Sequence, residues 1–139
     1  MLLRFGVENH GSIATYQELQ LTATALKDDD TGVMSVDGAS VDSSRALRVL
    51  PVAGIYGANA SGKSTILRAI DFFVSAITHS HSRVARRTGT PYDPYLLDRE
   101  SRNKPSRYDA DIVLGDTRYH YGFILDGKHF LQEWLYSFD

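Results

Sequence analysis

Gly57-Ala58-Asn59-Ala60-Ser61-Gly62-Lys63-Ser64-Thr65 spells G-x-x-x-x-G-K-S-T, and the architecture of the chain turns on it. The glycines let the backbone curl with its N–H groups pointing inward, a nest for a β-phosphate backed by the positive end of the helix that follows. In such a cradle Lys63 reaches the β- and γ-phosphates, Ser64 sets its hydroxyl on Mg²⁺, and Thr65 touches the α-phosphate. The pattern requires a buried strand before it and a helix after it. Val49-Leu50-Pro51-Val52-Ala53-Gly54-Ile55-Tyr56 is a short apolar run without charges, which predicts a parallel strand covered on both faces. Pro51 is expected at its first residue, where the missing N–H does least harm. Beyond the loop, Ile66, Leu67, Ile70, Phe73, Val74 and Ile77 recur at helical spacing, with Arg68, Asp71 and Ser75 between them. Strand, glycine loop and amphipathic helix follow in the required order, in an α/β fold.

Composition excludes several function classes. The 139 residues suit one domain with a modest core, and 42% hydrophobic with 23% charged residues is ordinary for a soluble globular protein. A formal charge of −2 excludes a strongly basic module that coats nucleic acid, while permitting local patches. There is no cysteine, hence no disulfide and no thiolate metal site, which is compatible with a cytoplasmic protein. No apolar run approaches 18 residues, so neither a membrane span nor a signal peptide is expected.

Leu2 to Glu8 and Gln17 to Ala25 read as strands, from the alternation of Leu3, Phe5, Val7 and of Leu19, Leu21, Ala23; Asn9-His10-Gly11-Ser12 is the turn between them. Residues 27–45 form an exposed loop, with a small hairpin around Asp37-Gly38. The run Asp28-Asp29-Asp30 reads as solvated rather than metal-binding, because no further ligands follow at coordinating spacing. His79-Ser80-His81 ends the helical stripe, its histidines favoured by the C-terminal dipole. Residues 80–107 form a second exposed connection. It holds the most basic stretch, seven Arg and Lys against three carboxylates between 83 and 107, so it is either a solvated loop or a contact for a DNA backbone.

The last third reads as a β-meander. Tyr108, Ala110, Ile112 and Leu114 share one face, Gly115-Asp116 turns the chain, and Tyr119, Tyr121, Phe123 and Leu125 line the next strand. Asp126-Gly127 predicts a two-residue hairpin of the primed type. Phe130, Gln132, Trp134, Tyr136 and Phe138 then share one face, and Leu131, Glu133 and Leu135 the other.

The interior of the loop carries a resemblance. G-A-N-A-S-G-K-S-T is similar to the G-x-N-G-x-G-K-S/T loop of ABC-type ATPase heads, including the SMC, RecF and RecN-like proteins, with Ala60 where those have glycine. A-N-A-S-G-K-S resembles the branch called AAA-family ATPases, relatives of the OLD nucleases that include abortive-infection and restriction-associated ATPases. Phe5-Gly6-Val7-Glu8-Asn9-His10-Gly11-Ser12 resembles that branch's opening F-x-V-E-N-F-x-S, with His10 for the aromatic. Tyr119-His120-Tyr121-Gly122-Phe123 and Glu133-Trp134-Leu135-Tyr136 resemble its Y-x-Y-G-F and E-W-L-Y hairpin. The resemblance implies a P-loop fold in which the first strands and the meander form an antiparallel β-subdomain, with ATP and Mg²⁺ as cofactors. It also implies a homodimer formed through ATP, and DNA or a nuclease as partners, in repair or phage defence.

Such a head also needs a strand of four apolar residues ending Asp-Glu. Ile112-Val113-Leu114-Gly115-Asp116 and Phe123-Ile124-Leu125-Asp126 each lack the second acid, and no L-S-G-G-Q-like signature occurs. Residues 1–139 are therefore expected to be the N-terminal lobe of a longer ATPase that hydrolyses ATP when whole. The alternative is a non-catalytic nucleotide-binding or dimerisation module. Gln132 is a candidate for a metal-binding Gln in such a head, or a structural strand residue. A GTPase is disfavoured because Asn103-Lys104-Pro105-Ser106 lacks the guanine-reading Asp, and a small kinase because two strands precede the loop. The Asn9–Ser12 turn is the candidate adenine contact.

Overall fold

The computed structural model describes residues 1–23, 32–36, 47–59, 61–83 and 90–138. Its main element is a five-stranded antiparallel sheet built from strands β1 (Leu2–Glu8), β2 (Gln17–Gln20), β5 (Ser106–Leu114), β6 (Thr117–Leu125) and β7 (Phe130–Phe138), in the order β2-β1-β5-β6-β7. The first strands and the final meander thus share one antiparallel sheet, the arrangement that the resemblance implies. Strand β2 is shorter than expected. Leu21 still donates its N–H to the Leu3 carbonyl at 2.8 Å; the chain then leaves β1, and Thr22 pairs instead with Val49.

A second, two-stranded sheet joins β3 (Met34–Val36) to β4 (Leu47–Val49). Strand β3 lies inside the expected 27–45 loop, and the turn of that hairpin, like Asp28-Asp29-Asp30, lies outside the described residues. Leu3, Val49 and Val113 form a small core between the two sheets, backed by Leu21, Val36 and Leu47.

Helix α1 (Lys63–Arg83) packs on one face of the large sheet. Phe5, Val7, Ala69, Phe73, Tyr108, Ala110, Phe123 and Leu125 form the main core, with Ile66, Ile70, Phe72 and Ala76 against it. Phe73 stacks on Phe123 and meets Phe5 edge-on, each ring about 5.5 Å from its neighbour. The inward stripe is therefore centred on Ala69 and Phe73. Leu67, Val74 and Ile77, expected on the buried face, are exposed because three apolar rows span more of the helix than one sheet covers. The helix runs beyond His79 and His81 to Arg83; the side chains of those histidines lie outside the described residues.

The opposite face of the sheet is polar. Arg4 places Nη2 2.6 Å from Asp109 and Nε 3.0 Å from Asp111, and Asp111 also takes His120 at 2.8 Å and Arg118 at 3.2 Å. Burial works against the charge on Arg4, but the Asp111 and Asp109 carboxylates outweigh it and hold the guanidinium above its usual range. Arg107 reaches Asp109 and lies over the Tyr16 and Trp134 rings. Trp134 crosses this face where β6 has no side chain: a Cβ on Gly122 would lie 2.3 Å from Trp134 and 2.8 Å from Asp109.

One turn and one strand register depart from expectation. The β6–β7 connection is four residues, not two, because the Asp126 carboxylate accepts both the Lys128 and His129 N–H groups at 2.7 Å and rounds the corner itself. A register shift between Ile124 and Leu125 then separates Phe130 from the rest of its predicted face. Phe130 packs edge-on to Phe123, while Trp134 lies with Arg107 on the polar side.

Candidate functional site

The segment entering the phosphate loop is not the predicted strand. Only Leu47–Val49 is extended in a ladder, and that ladder is antiparallel. Residues 50–58 have no strand structure; Val52 is 82% and Tyr56 94% exposed, and Pro51 is exposed beyond the end of β4. A parallel strand is stabilised by neighbours on both sides, and every strand pair among the described residues is antiparallel.

The loop itself is shaped by Gly62 and by Lys63. Gly62 sits at φ +89°, a conformation other residues rarely adopt, and its carbonyl takes the Thr65 N–H at 2.9 Å, opening α1 directly at Lys63. At Gly57 a Cβ would come 2.8 Å from Ser61 Oγ, so a side chain there would push the Ser61 hydroxyl aside. Lys63 curls back over the loop, its Nζ 2.7 Å from the Gly57 carbonyl and 2.5 Å from that of Ala58, with Ser61 Oγ at 3.4 Å. Its ammonium is thereby held against the loop. Ala60 lies outside the described residues.

Three segments enclose a cleft of about 630 Å³. Asn59 and Ser61–Thr65 with Arg68 form one wall, Gly11 and Ser12 the floor, and Asp93–Leu97 the far wall. Ser64 is exposed and lines the cleft. Thr65 is buried and its Oγ1 is 2.7 Å from Ser12 Oγ, so that hydroxyl ties the loop to the N-terminal turn.

The Asn9–Ser12 turn divides its work. Asn9, at φ +54° and buried, donates to the Ser101 and Lys104 carbonyls and accepts the Tyr95 N–H at 2.9 Å. Its side chain is wholly engaged in holding residues 95–104, which leaves Gly11 and Ser12 as the part of the turn that faces the cleft. His10 Nδ1 lies 2.8 Å from the Tyr108 hydroxyl, and burial holds its imidazole below the ordinary pKa of 6.5. Burial likewise pushes the Tyr108 phenol up.

Sequence reasoning missed Asp93–Leu97, which it placed in an exposed basic connection. The available signal was Tyr92-Asp93-Pro94-Tyr95-Leu96-Leu97, an aromatic and apolar run inside a charged stretch. The candidate carboxylates stand apart from the cleft: Asp116 is exposed in the Gly115 turn, and Asp126 caps its own loop. Gln132 is an exposed residue of β7 opposite Ile124, and it too is outside the cleft lining. Among the described residues there is no cluster of three or more metal-ligating side chains, and no helix long and apolar enough to cross a membrane.

Neither a curated protein nor a solved structure matches the chain. Residues 52–139, well over half of it, match the family described as "AAA domain, putative AbiEii toxin, Type IV TA system". That span begins just ahead of the phosphate loop and runs through α1, the Asp93–Leu97 wall and the whole β5–β7 meander. The family is one of P-loop NTPase fold whose members use ATP and Mg²⁺, and this chain belongs to it.

Proposed function

We propose that residues 1–139 bind Mg-ATP as the N-terminal lobe of an ABC-type head, with hydrolysis a property of the full-length protein. The observation that carries the proposal is the cleft in which the Gly57–Thr65 loop faces the Gly11–Ser12 turn, with Lys63 Nζ held above the loop. The residues present fit a triphosphate. The α1 N-terminus and the loop N–H groups favour an anion, Lys63 supplies the cation for the β- and γ-phosphates, and Ser64 offers its hydroxyl to Mg²⁺. Gly57, Ala58, Asn59, Ala60, Ser61, Gly62, Lys63, Ser64 and Thr65 would together hold the nucleotide. Bound Mg²⁺ would neutralise charge between the β- and γ-phosphates; this chain's residues position the ligand and bring no carboxylate comparable to an Asp-Glu pair. Lys63 therefore serves catalysis by orienting the γ-phosphate.

Two apolar surfaces support the lobe reading. Val52, Ile55 and Tyr56 before the loop and Leu67, Val74 and Ile77 on α1 are exposed, and further strands of a P-loop core would cover them. Pairing of two such lobes through ATP, and work on DNA or with a nuclease in repair or phage defence, are proposed from family resemblance alone.

Titration of ATP into wild type and Lys63→Ala tests the binding reading. Removal of one charge-assisted interaction predicts affinity weakened by about 10- to 100-fold with the fold intact. Equal affinity in the two proteins would sink the phosphate-loop assignment. Ser64→Ala should abolish most of the Mg²⁺ dependence of binding while leaving metal-free binding unchanged.

A further inference from the structure

The two long walls of the cleft differ in chemistry. The loop wall offers N–H groups, hydroxyls and the Lys63 cation. The facing wall, Asp93–Leu97, begins with a carboxylate that repels phosphate and continues into mainly apolar side chains, with the Tyr95 phenol its one neutral side-chain donor and no cation. Yet this wall is firmly held. The Gly11 N–H donates to the Asp93 carbonyl at 2.8 Å, Tyr95 N–H to Asn9 Oδ1 at 2.9 Å, and Arg102 Nε to the Leu96 carbonyl at 2.8 Å. Leu97 is 84% exposed and Leu96 55%, both in the cleft lining. Apolar side chains presented to solvent from so tied a segment form a prepared surface.

The order of groups along the cleft supplies the ligand. A Cβ on Gly11 would lie 2.9 Å from Thr65 Cγ2 and 3.8 Å from Asp93 Oδ2, so the Asp93 carboxylate stands beside the Thr65 end of the loop. Lys63 marks the β- and γ-phosphates and Thr65 the α-phosphate end. The next group outward on a nucleotide is the ribose, whose hydroxyls donate to a carboxylate; beyond it lies the base, whose faces are apolar. We infer that Asp93–Leu97 is the nucleoside wall of this site, with Asp93 accepting from a ribose hydroxyl and Leu96 and Leu97 covering the base. The inference rests on the phosphate-loop reading above and adds the half of the ligand that reading leaves unassigned.

Titrating Mg-ATP, Mg-2′,3′-dideoxy-ATP and Mg-tripolyphosphate into the 139-residue chain separates the two. Leu97→Ser changes an exposed side chain and should fold normally. It is expected to weaken ATP by about 5- to 10-fold, because the base is no longer covered by an apolar side chain, and to leave tripolyphosphate unchanged. Wild type should prefer ATP to the dideoxy analogue, and Asp93→Asn should reduce that preference. Lys63→Ala should weaken every ligand. Unchanged ATP affinity in Leu97→Ser, an equal loss for ATP and tripolyphosphate, or wild-type affinity no greater for ATP than for tripolyphosphate overturns the nucleoside wall and leaves the phosphate loop standing. Wild-type binding of none of the three ligands, or binding indifferent to Lys63, overturns the phosphate loop and the inference together.

Discussion

Tyr108, Ala110, Phe123 and Leu125 are sealed between sheet and helix, whereas Val52, Ile55 and Tyr56, from an apolar run without charges, lie open to solvent. The strands of the meander find their partners in adjacent sequence. Two residues join β5 to β6 and four join β6 to β7, so each pairing closes a short loop at small entropic cost. The run entering the phosphate loop is built for neighbours on both sides, and no described strand pairs with residues 51–58. Helix α1 repeats the contrast within one element: Ala69 and Phe73 are covered and Leu67 and Val74 are bare. Apolarity in a sequence marks surface that prefers burial; the partner that buries it must be supplied separately.

The largest effect should come from the covered side. Phe73→Ala removes a ring packed against Phe5, Tyr121 and Phe123, and is expected to cost about 3–5 kcal/mol in denaturant unfolding. Val52→Ser, on the bare side, should change stability by less than about 0.5 kcal/mol. A comparable cost at both positions would mean that residues 50–56 pack on something in the 139-residue chain, and the contrast would vanish. Gly122→Ala comes next: the added methyl meets Trp134 and the Asp109 Cβ, neither able to move without disturbing the ion cluster, and about 1–3 kcal/mol is expected. Asn9→Ala should cost a similar or slightly smaller amount, about 1–3 kcal/mol, by stranding the Tyr95 N–H and two carbonyls. It should also weaken ATP more than tripolyphosphate, because Asn9 holds the far wall.

Much of the fold is legible in the sequence, for physical reasons that differ by element. The strands containing Phe5, Tyr108 and Phe123 alternate cleanly because one face meets the helix and the other carries the Arg4–Asp109–Asp111 cluster. The phosphate loop is legible because Gly62 and Lys63 are demanded by local backbone and charge. What escapes depends on distant contacts. The apolar run at Tyr92–Leu97 stands out in its charged stretch, but nothing near it in sequence announces that Asn9, by holding Tyr95, Ser101 and Lys104, will set Asp93–Leu97 on the cleft. Asp126-Gly127 reads as a two-residue turn because the capping by the Asp126 carboxylate and the bulge at Leu125 both depend on how β7 pairs.

The smallest expected effect is a pH dependence. Burial lowers the His10 pKa, so between its folded value and about 6.5 the unfolded chain binds a proton that the folded one refuses. Stability from the neutral imidazole is fully present above pH 6.5 and is lost as pH falls toward the folded value. Unfolding measured from pH 7.5 to 5 should show this decline, and His10→Phe should flatten it. A decline of the same slope in His10→Phe would assign it to other groups.

Amide NMR of the 139-residue chain with Mg-ATP added tests the central claim most directly. Binding in the cleft predicts shifts concentrated at Gly57–Thr65, Gly11–Ser12 and Asp93–Leu97, with the polar sheet face around Arg118 and Trp134 unmoved. Shifts centred on that sheet face, or no shifts at saturating nucleotide, would contradict it.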